Sequence, residues 1–257
     1  MKQLLNLLRT NSLVPRAPLN VLKNEATSEH VFYLYDVIYD GDGWGISAMD
    51  VIRALGQVPA GGTLRMRIKS PGGDVMESKA IVTAMREFMA AGGKIITQVD
   101  SLAASCASWI ALTANEIEIA DGAFIMIHKA TSGGWGTDNE LRKVADVLTL
   151  VERSIVDVYA TTTQKDAAQI QQWMEAETWF TADDAVANGF AHRVTSRLLD
   201  VPANLANIRW NLAAYDNTPD ALKAPPLPPE PPPAPELDMA AVIENNRRRM
   251  RLLDTNV

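Results

Sequence analysis

"TLRMRIKSPGGDVMESKAIVTAMREFMAAGGKIITQVD" (residues 63–100) decides the fold. TLRMRIKS alternates apolar and polar side chains with the period of a strand. Pro71-Gly72-Gly73 then turns the chain, and a helical run follows until Gly92 and Gly93 stop it. KIITQVD is again strand-like. A strand, a helix and a second strand in this order make a crossover unit, and such units are right-handed and build parallel sheets. The pattern extends both ways. Upstream, VFYLYDVIY, ending at Tyr39, is a strand, and ISAMDVIRAL (46–55) is a helix with Ser47 and Asp50 at capping-box spacing. Downstream, SLAASCASW (101–109) opens a further helix, and EIEIADGAFIMIH (116–128) gives two short strands around Asp121-Gly122. A long helical run follows from about Asp138 to Ala160. The sequence predicts an α/β domain around a mainly parallel sheet.

The chain has 257 residues, 47% of them hydrophobic, enough for one sizeable core with appendages. A formal net charge of -7 argues against a general or specific nucleic-acid binder. A single cysteine allows no internal disulfide and suits a reducing compartment. The opening residues are mildly amphipathic, but Asn6 and Arg9 interrupt them and no cleavage site follows, so no signal peptide is expected. No apolar run approaches the roughly 20 residues that span a bilayer, which predicts a soluble, cytoplasmic protein with no membrane partner.

Composition also suggests boundaries. Residues 1–26, with Pro15 and Pro18, read as an N-terminal arm, and 27–200 as the folded domain. Residues 201–236 read as a linker ending in "PPLPPEPPPAP" (225–235), which holds eight of the fourteen prolines. Such a run forms an extended spacer or a ligand for a proline-binding module. Residues 237–257 read as a short helical tail with Arg247, Arg248, Arg249 and Arg251 near its end. Those cations either complement the helix dipole or form a docking tip.

Two stretches imitate metal sites. "DGDGWG" (40–45) resembles the start of a calcium loop, but its twelfth position is Val51 and not a bidentate Glu. His30, His128 and His192 are far apart, with no partners at zinc-ligand spacing. No metal and no cofactor is expected.

The chemistry-bearing residues fall at sheet-element ends. The Gly72-Gly73 amides lie between a strand and a helix, where open α/β sheets bind ligands; the same dipeptide also makes plain turns. Among the small residues of SLAASCASW, Ser105 is either a packing residue or a nucleophile at a strand–helix junction. His128 closes an apolar strand, as a packed core residue or a base. Together they offer the nucleophile, base and oxyanion site that acyl transfer needs.

"SPGGD", "AASCAS", "IMIHKATSGGWGTDNEL" and "WFTADDAVANGFAHRV" (179–194), in this order, resemble the motifs of the Clp protease proteolytic subunit (ClpP) family over roughly residues 28–195. The resemblance implies a ClpP/crotonase-like fold: repeated β-β-α and βαβ units around a mainly parallel sheet, with a protruding handle helix. It implies Ser105 as nucleophile, His128 as base, the Gly73 and Cys106 amides as oxyanion hole, and Gly133 and Gly134 as a substrate-pairing segment. Ser108 stands at an alanine position and reads as packing. Where the family carries its third triad residue, an Asp, this chain has Thr178, which can accept a hydrogen bond but supplies no charge; Glu177, next to it, would reach the site only if the chain bulges. The flanks and the altered motifs resemble the phage and prophage branch, which implies a head-maturation protease cutting scaffold and capsid proteins in the host cytoplasm or within a prohead. The family also implies a homo-oligomer of stacked rings. The alternative readings of this chain are a Clp-type degradation subunit fed by an ATPase, or a catalytically weak or dead assembly protein. The apolar stripe Val144, Val147, Leu148, Val151, Ile155 and Tyr159 is expected to bury part of its surface against a second ring.

Overall fold

The structure is a computed structural model that describes residue 11 and residues 21–41, 45–196 and 210–223. The centre of the 40–45 turn, most of the N-terminal arm, the proline run and the basic tail lie outside the described residues.

The elements follow the expected alternation. Strand β1 (Leu22–Asn24) and β2 (Glu29–Leu34) precede helix α1 (Ala48–Gly56), β3 (Thr63–Ser70), α2 (Val75–Ala90) and β4 (Lys94–Ala104). Then come α3 (Cys106–Ala111), β5 (Glu116–Ala120), β6 (Phe124–Ile127), α4 (Asp138–Thr163), α5 (Ala167–Glu175), β7 (Thr178–Phe180), α6 (Ala182–Ala187) and β8 (Arg193–Thr195). The sheet runs β1-β2-β3-β4-β5-β8, with β6 pairing β4 and β7. The β2–β3, β3–β4, β4–β5, β4–β6 and β5–β8 pairs are parallel; β1 against β2 and β7 against β6 are antiparallel. This is the expected α/β architecture with a mostly parallel sheet.

Local chemistry explains the elements. Ser47 and Asp50 form the reciprocal capping box at the start of α1, and Asp74 accepts from the amides of Met76 and Glu77 at the start of α2. The alternation in β2 divides its side chains cleanly. Phe32 and Leu34 join Leu64, Met66 and Ile68 of β3 beneath the helices. Val31, Tyr33 and Tyr35 face the other way, with Leu102, Ala104 and Met126.

Three expected boundaries move. The SLAA stretch, expected to open a helix, continues β4, because Leu102, Ala103 and Ala104 pair with β6 and the helix begins only at Cys106. Small side chains permit this: Ala103 and Ala104 are fully buried between neighbouring strands. Residues 210–223, expected within a linker, instead lie on the second face of the sheet, where Trp210, Leu212 and Tyr215 are buried. Trp210 Nε1 donates to the Lys69 carbonyl at 3.2 Å, and Asn11 exchanges hydrogen bonds with the backbone of Asn211. Likewise β1, inside the expected arm, pairs with β2.

Helix α4 has two halves. Val151, Ile155 and Tyr159 of the expected stripe are buried within the chain. Toward the N-terminus of the helix, Leu141, Val147 and Leu150 are exposed.

Candidate active site

The site forms where β4 splits its two neighbours. Its first half pairs with β5 and its second with β6, so Ala104 ends between β3 and β6. The next residue, Ser105, has φ 55 and ψ -130, a strained conformation of the kind that functional turns retain. That turn ends the strand and begins α3 within one residue, and it lifts the hydroxyl out of the sheet.

His128 follows β6 directly. Its Nε2 lies 2.7 Å from Ser105 Oγ, a proton-transfer distance. Burial drives the His128 pKa down to about 4, with the Glu177 carboxylate pulling it the other way. The imidazole is therefore neutral at neutral pH and able to accept the serine proton.

The Gly72-Gly73 turn approaches from β3. A Cβ on Gly72 (φ +91) would sit 2.7 Å from the Ala104 carbonyl oxygen, and one on Gly73 would sit 2.0 Å from the Ile38 oxygen. Only glycine fits both places. The flanking groups bind Ile38, whose amide donates to the Gly72 carbonyl and whose carbonyl accepts from Asp74. The Gly73 amide takes no part in that bridge. The Cys106 amide is the first of α3, a position with no acceptor inside its own helix. Both amides act on the Cys106 thiol, partly offsetting the burial that pushes its pKa up to about 12. That thiol is buried and protonated, and it is no competing nucleophile.

Ser108 has the packing role. Its hydroxyl lies 2.5 Å from the Ser105 carbonyl and 2.7 Å from Tyr159 Oη, and so braces the turn that carries Ser105. A cavity of about 210 Å³ opens in front of the pair, with Gly73, Met76, Trp109, Ile155 and Tyr215 among its lining. It can take an apolar side chain next to the Ser105 hydroxyl and the Gly73 turn.

Thr178 does not meet the expectation set for it. Its hydroxyl donates to the Trp173 carbonyl at 2.7 Å, closing the turn between α5 and β7, and it makes no hydrogen bond with His128. Glu177 is not on an extended run either: with φ 48 it occupies a left-handed turn. There its carboxylate accepts from the backbone amides of Asp216 and Asn217 at 3.1 and 2.7 Å. Gly133 and Gly134 lie on an exposed segment between β6 and α4. Thr131 and Ser132, just before them, line the cavity.

Sequence reasoning missed Tyr215. Its ring meets the His128 ring edge-on, with centroids 5.4 Å apart, and its hydroxyl donates to the Pro71 carbonyl. The only signal was apolar Trp210, Leu212 and Tyr215 in a stretch read as linker. Among the described residues no cluster of His, Cys, Asp and Glu is arranged to hold a metal ion, and no helix is long and apolar enough to cross a membrane.

Comparison with known proteins agrees with this geometry. Residues 43–197 match the Clp protease family. The chain is 29% identical over 140 residues to the ATP-dependent Clp protease proteolytic subunit 2 of Thermobifida fusca, covering 54% of this chain and 68% of that one. It is 27% identical over 129 residues to the subunit 2 of Tropheryma whipplei, covering 49% and 70%. With the subunit 1 of Protochlamydia amoebophila it shares 24% identity over 200 residues, covering 75% and 93%.

Proposed function

The chain belongs to the Clp protease family, and from that premise we propose that it is a serine endopeptidase whose nucleophile is Ser105 and whose base is His128. The observation that carries this reading is the 2.7 Å contact between Ser105 Oγ and the buried, neutral His128 Nε2. His128 takes the hydroxyl proton as Oγ attacks the scissile carbonyl. The developing oxyanion is met by the Gly73 and Cys106 amides, which demand no reorganisation because the turn and the helix start hold them. The imidazolium then returns the proton to the leaving amine, and water repeats the cycle on the acyl-enzyme. Gly133 and Gly134 present the backbone edge on which a peptide adds as a strand.

A fluorophosphonate probe tests the assignment. It should label the wild type and not Ser105→Ala, while Cys106→Ala and Ser108→Ala keep much of the label. Full labelling of Ser105→Ala would overturn it.

For the substrate, the proline spacer and basic tail support scaffold and capsid proteins in a phage or prophage setting, with the subunits assembled as stacked rings. The exposed apolar residues of α4 support the ring contact. The relatives' names favour a second reading, a degradation subunit served by a Clp-type ATPase. Coexpression separates the two. Cleavage of capsid and scaffold proteins at defined positions without an ATPase supports the first. Degradation of unfolded protein only with a Clp-type ATPase supports the second.

A further inference from the structure

The proteolytic site is completed by a piece of chain far from it in sequence. Residues 210–217 cross the second face of the sheet and bring Tyr215 to the cavity that Ser105 and His128 line. Tyr215 is 5% exposed and touches two working parts at once. Its ring edge meets His128. Its hydroxyl donates to Pro71, the residue ahead of the Gly72-Gly73 turn. Trp179 packs against its ring, with centroids 6.0 Å apart.

Beyond Tyr215, the segment is fastened by Glu177. The Glu177 carboxylate accepts from the two amides that follow Tyr215, and Asn217 Nδ2 donates back to the Ala176 carbonyl at 3.0 Å. A non-glycine residue in the left-handed region costs about 1–2 kcal/mol, so the turn at Glu177 is kept against its own preference. That conformation places the carboxylate where two adjacent backbone amides converge. Charge-assisted bonds of this kind are roughly twice as strong as neutral ones.

We propose that Tyr215 is a positioning residue of the protease site, carried on a strap (210–217) that Glu177 latches over His128 and the oxyanion turn. The proposal rests on the reading of Ser105 and His128 as nucleophile and base. Tyr215 takes no proton in the reaction: burial raises its hydroxyl pKa far above the working range. Its ring keeps water from His128 and fixes the imidazole plane, and its hydroxyl fixes the carbonyl next to the oxyanion amides. Glu177 acts chiefly through the strap: it makes no hydrogen bond to His128, and its charge only partly offsets the effect of burial on that imidazole. The neighbouring cation, Lys129, is turned toward Glu152 and Glu175 at 3.9 and 4.0 Å.

The test compares Tyr215→Phe, Tyr215→Ala, Glu177→Gln and Glu177→Ala in the full chain, reading peptide hydrolysis and the His128 pKa by NMR titration. Tyr215→Phe keeps the packing and loses one hydrogen bond, so kcat should fall about five- to tenfold with KM little changed. Tyr215→Ala should slow the enzyme further and raise the His128 pKa toward the ordinary value of about 6.5. Glu177→Ala should behave like Tyr215→Ala, the double variant should be no slower than either, and Glu177→Gln, which keeps an acceptor oxygen, should fall between it and the wild type. The sign of the His128 shift in Glu177→Ala is decisive. A lifted strap hydrates the imidazole and raises its pKa, whereas loss of a directly acting carboxylate lowers it. A lowered value, or Glu177→Gln as slow as Glu177→Ala, would overturn the latch. If the wild type neither hydrolyses peptide nor takes the fluorophosphonate label, the protease reading fails. The strap then stands or falls on the titration alone, and an unchanged His128 pKa in both alanine variants sinks it.

Discussion

The two faces of the sheet are covered by different means. Beneath one, α1, α2, α3 and α4 bury Phe32, Leu34, Leu64, Met66 and Ile68, and each helix is adjacent in sequence to a strand it covers or leads from. Beneath the other, Val31, Tyr33, Tyr35, Leu102 and Met126 are met by Trp210, Leu212 and Tyr215 from a segment far along the chain. The first face builds the Ser105 turn and the oxyanion amides. The second closes over His128. A closure made late in the chain from a few side chains opens more cheaply than a packed helical layer, so the proposed nucleophile, Ser105, stands on the rigid side and the proposed base, His128, is held from the adjustable side.

Core truncations should break this comparison if it is wrong. Phe32 is fully buried, and Phe32→Ala should cost about 3–5 kcal/mol of global stability, read as a lowered denaturant midpoint. Leu212→Ala should fall at or below the low end for such a truncation, about 2 kcal/mol. Its stronger effect should be local. Hydrogen exchange at the Asp216 and Asn217 amides should accelerate while the β3 and β4 amides stay protected. Equal global losses, with exchange accelerated everywhere, would mean that both faces unfold as one unit and that the strap is not separable.

This asymmetry also explains what could be read from the sequence. The helix-covered face was legible because β3, α2 and β4 each carry their own period, and because Gly92-Gly93 and the Ser47–Asp50 spacing mark ends by local chemistry. Ser105, His128 and the Gly72-Gly73 turn stood out because each lies at the end of such an element, while their roles and the Cys106 amide came from the resemblance to the ClpP family. The strap was not legible. Residues 210–217 carry no periodicity of their own, and Trp210 and Tyr215 gain meaning only when a distant sheet face lacks a cover. The β4 end was misread for a related reason. Ala103 and Ala104 favour a helix by propensity, but pairing on both sides overrides it. Thr178 was chosen from its place in a motif, and nothing local revealed that the chain turns left-handed at Glu177 and spends the hydroxyl on Trp173.

A pH profile sharpens the contrast at the base. Burial lowers the His128 pKa to about 4. Protonation, which removes the base, should therefore begin only as the pH falls toward that value, and the acidic limb of kcat/KM should lie near 4 rather than near the ordinary histidine value of about 6.5. The linkage to stability has the same origin. Unfolded chains bind the His128 proton near 6.5 and folded ones resist it to about 4. Between these values the unfolded state holds more protons, so the His128 contribution to stability declines as the pH falls through that window. Conditions or variants that free the strap should move the activity limb up. A limb near 6.5 in the wild type would show that the imidazole is solvated and that the strap does not cover it.

The smallest effect belongs to Thr178, and it tests the placement of the two neighbours. If Thr178 held the imidazole, Thr178→Val would remove that acceptor and slow the enzyme markedly. The hydroxyl instead donates to the Trp173 carbonyl at 2.7 Å, and valine is close to threonine in shape. The expected loss is that of one hydrogen bond, about 0.5–1.5 kcal/mol of stability, with kcat within about twofold of the wild type. Thr178→Asp sets a harder condition. A carboxylate there would face the Trp173 carbonyl it cannot donate to, so it should destabilise the turn and displace Glu177 from the Asp216 and Asn217 amides. The rate should then fall along with the strap's protection from exchange, even though the substitution restores the residue type that the family carries. A rate that rises in Thr178→Asp would mean that position 178 reaches His128 after all, and that the division of labour between a rigid face and a latched one must be redrawn around it.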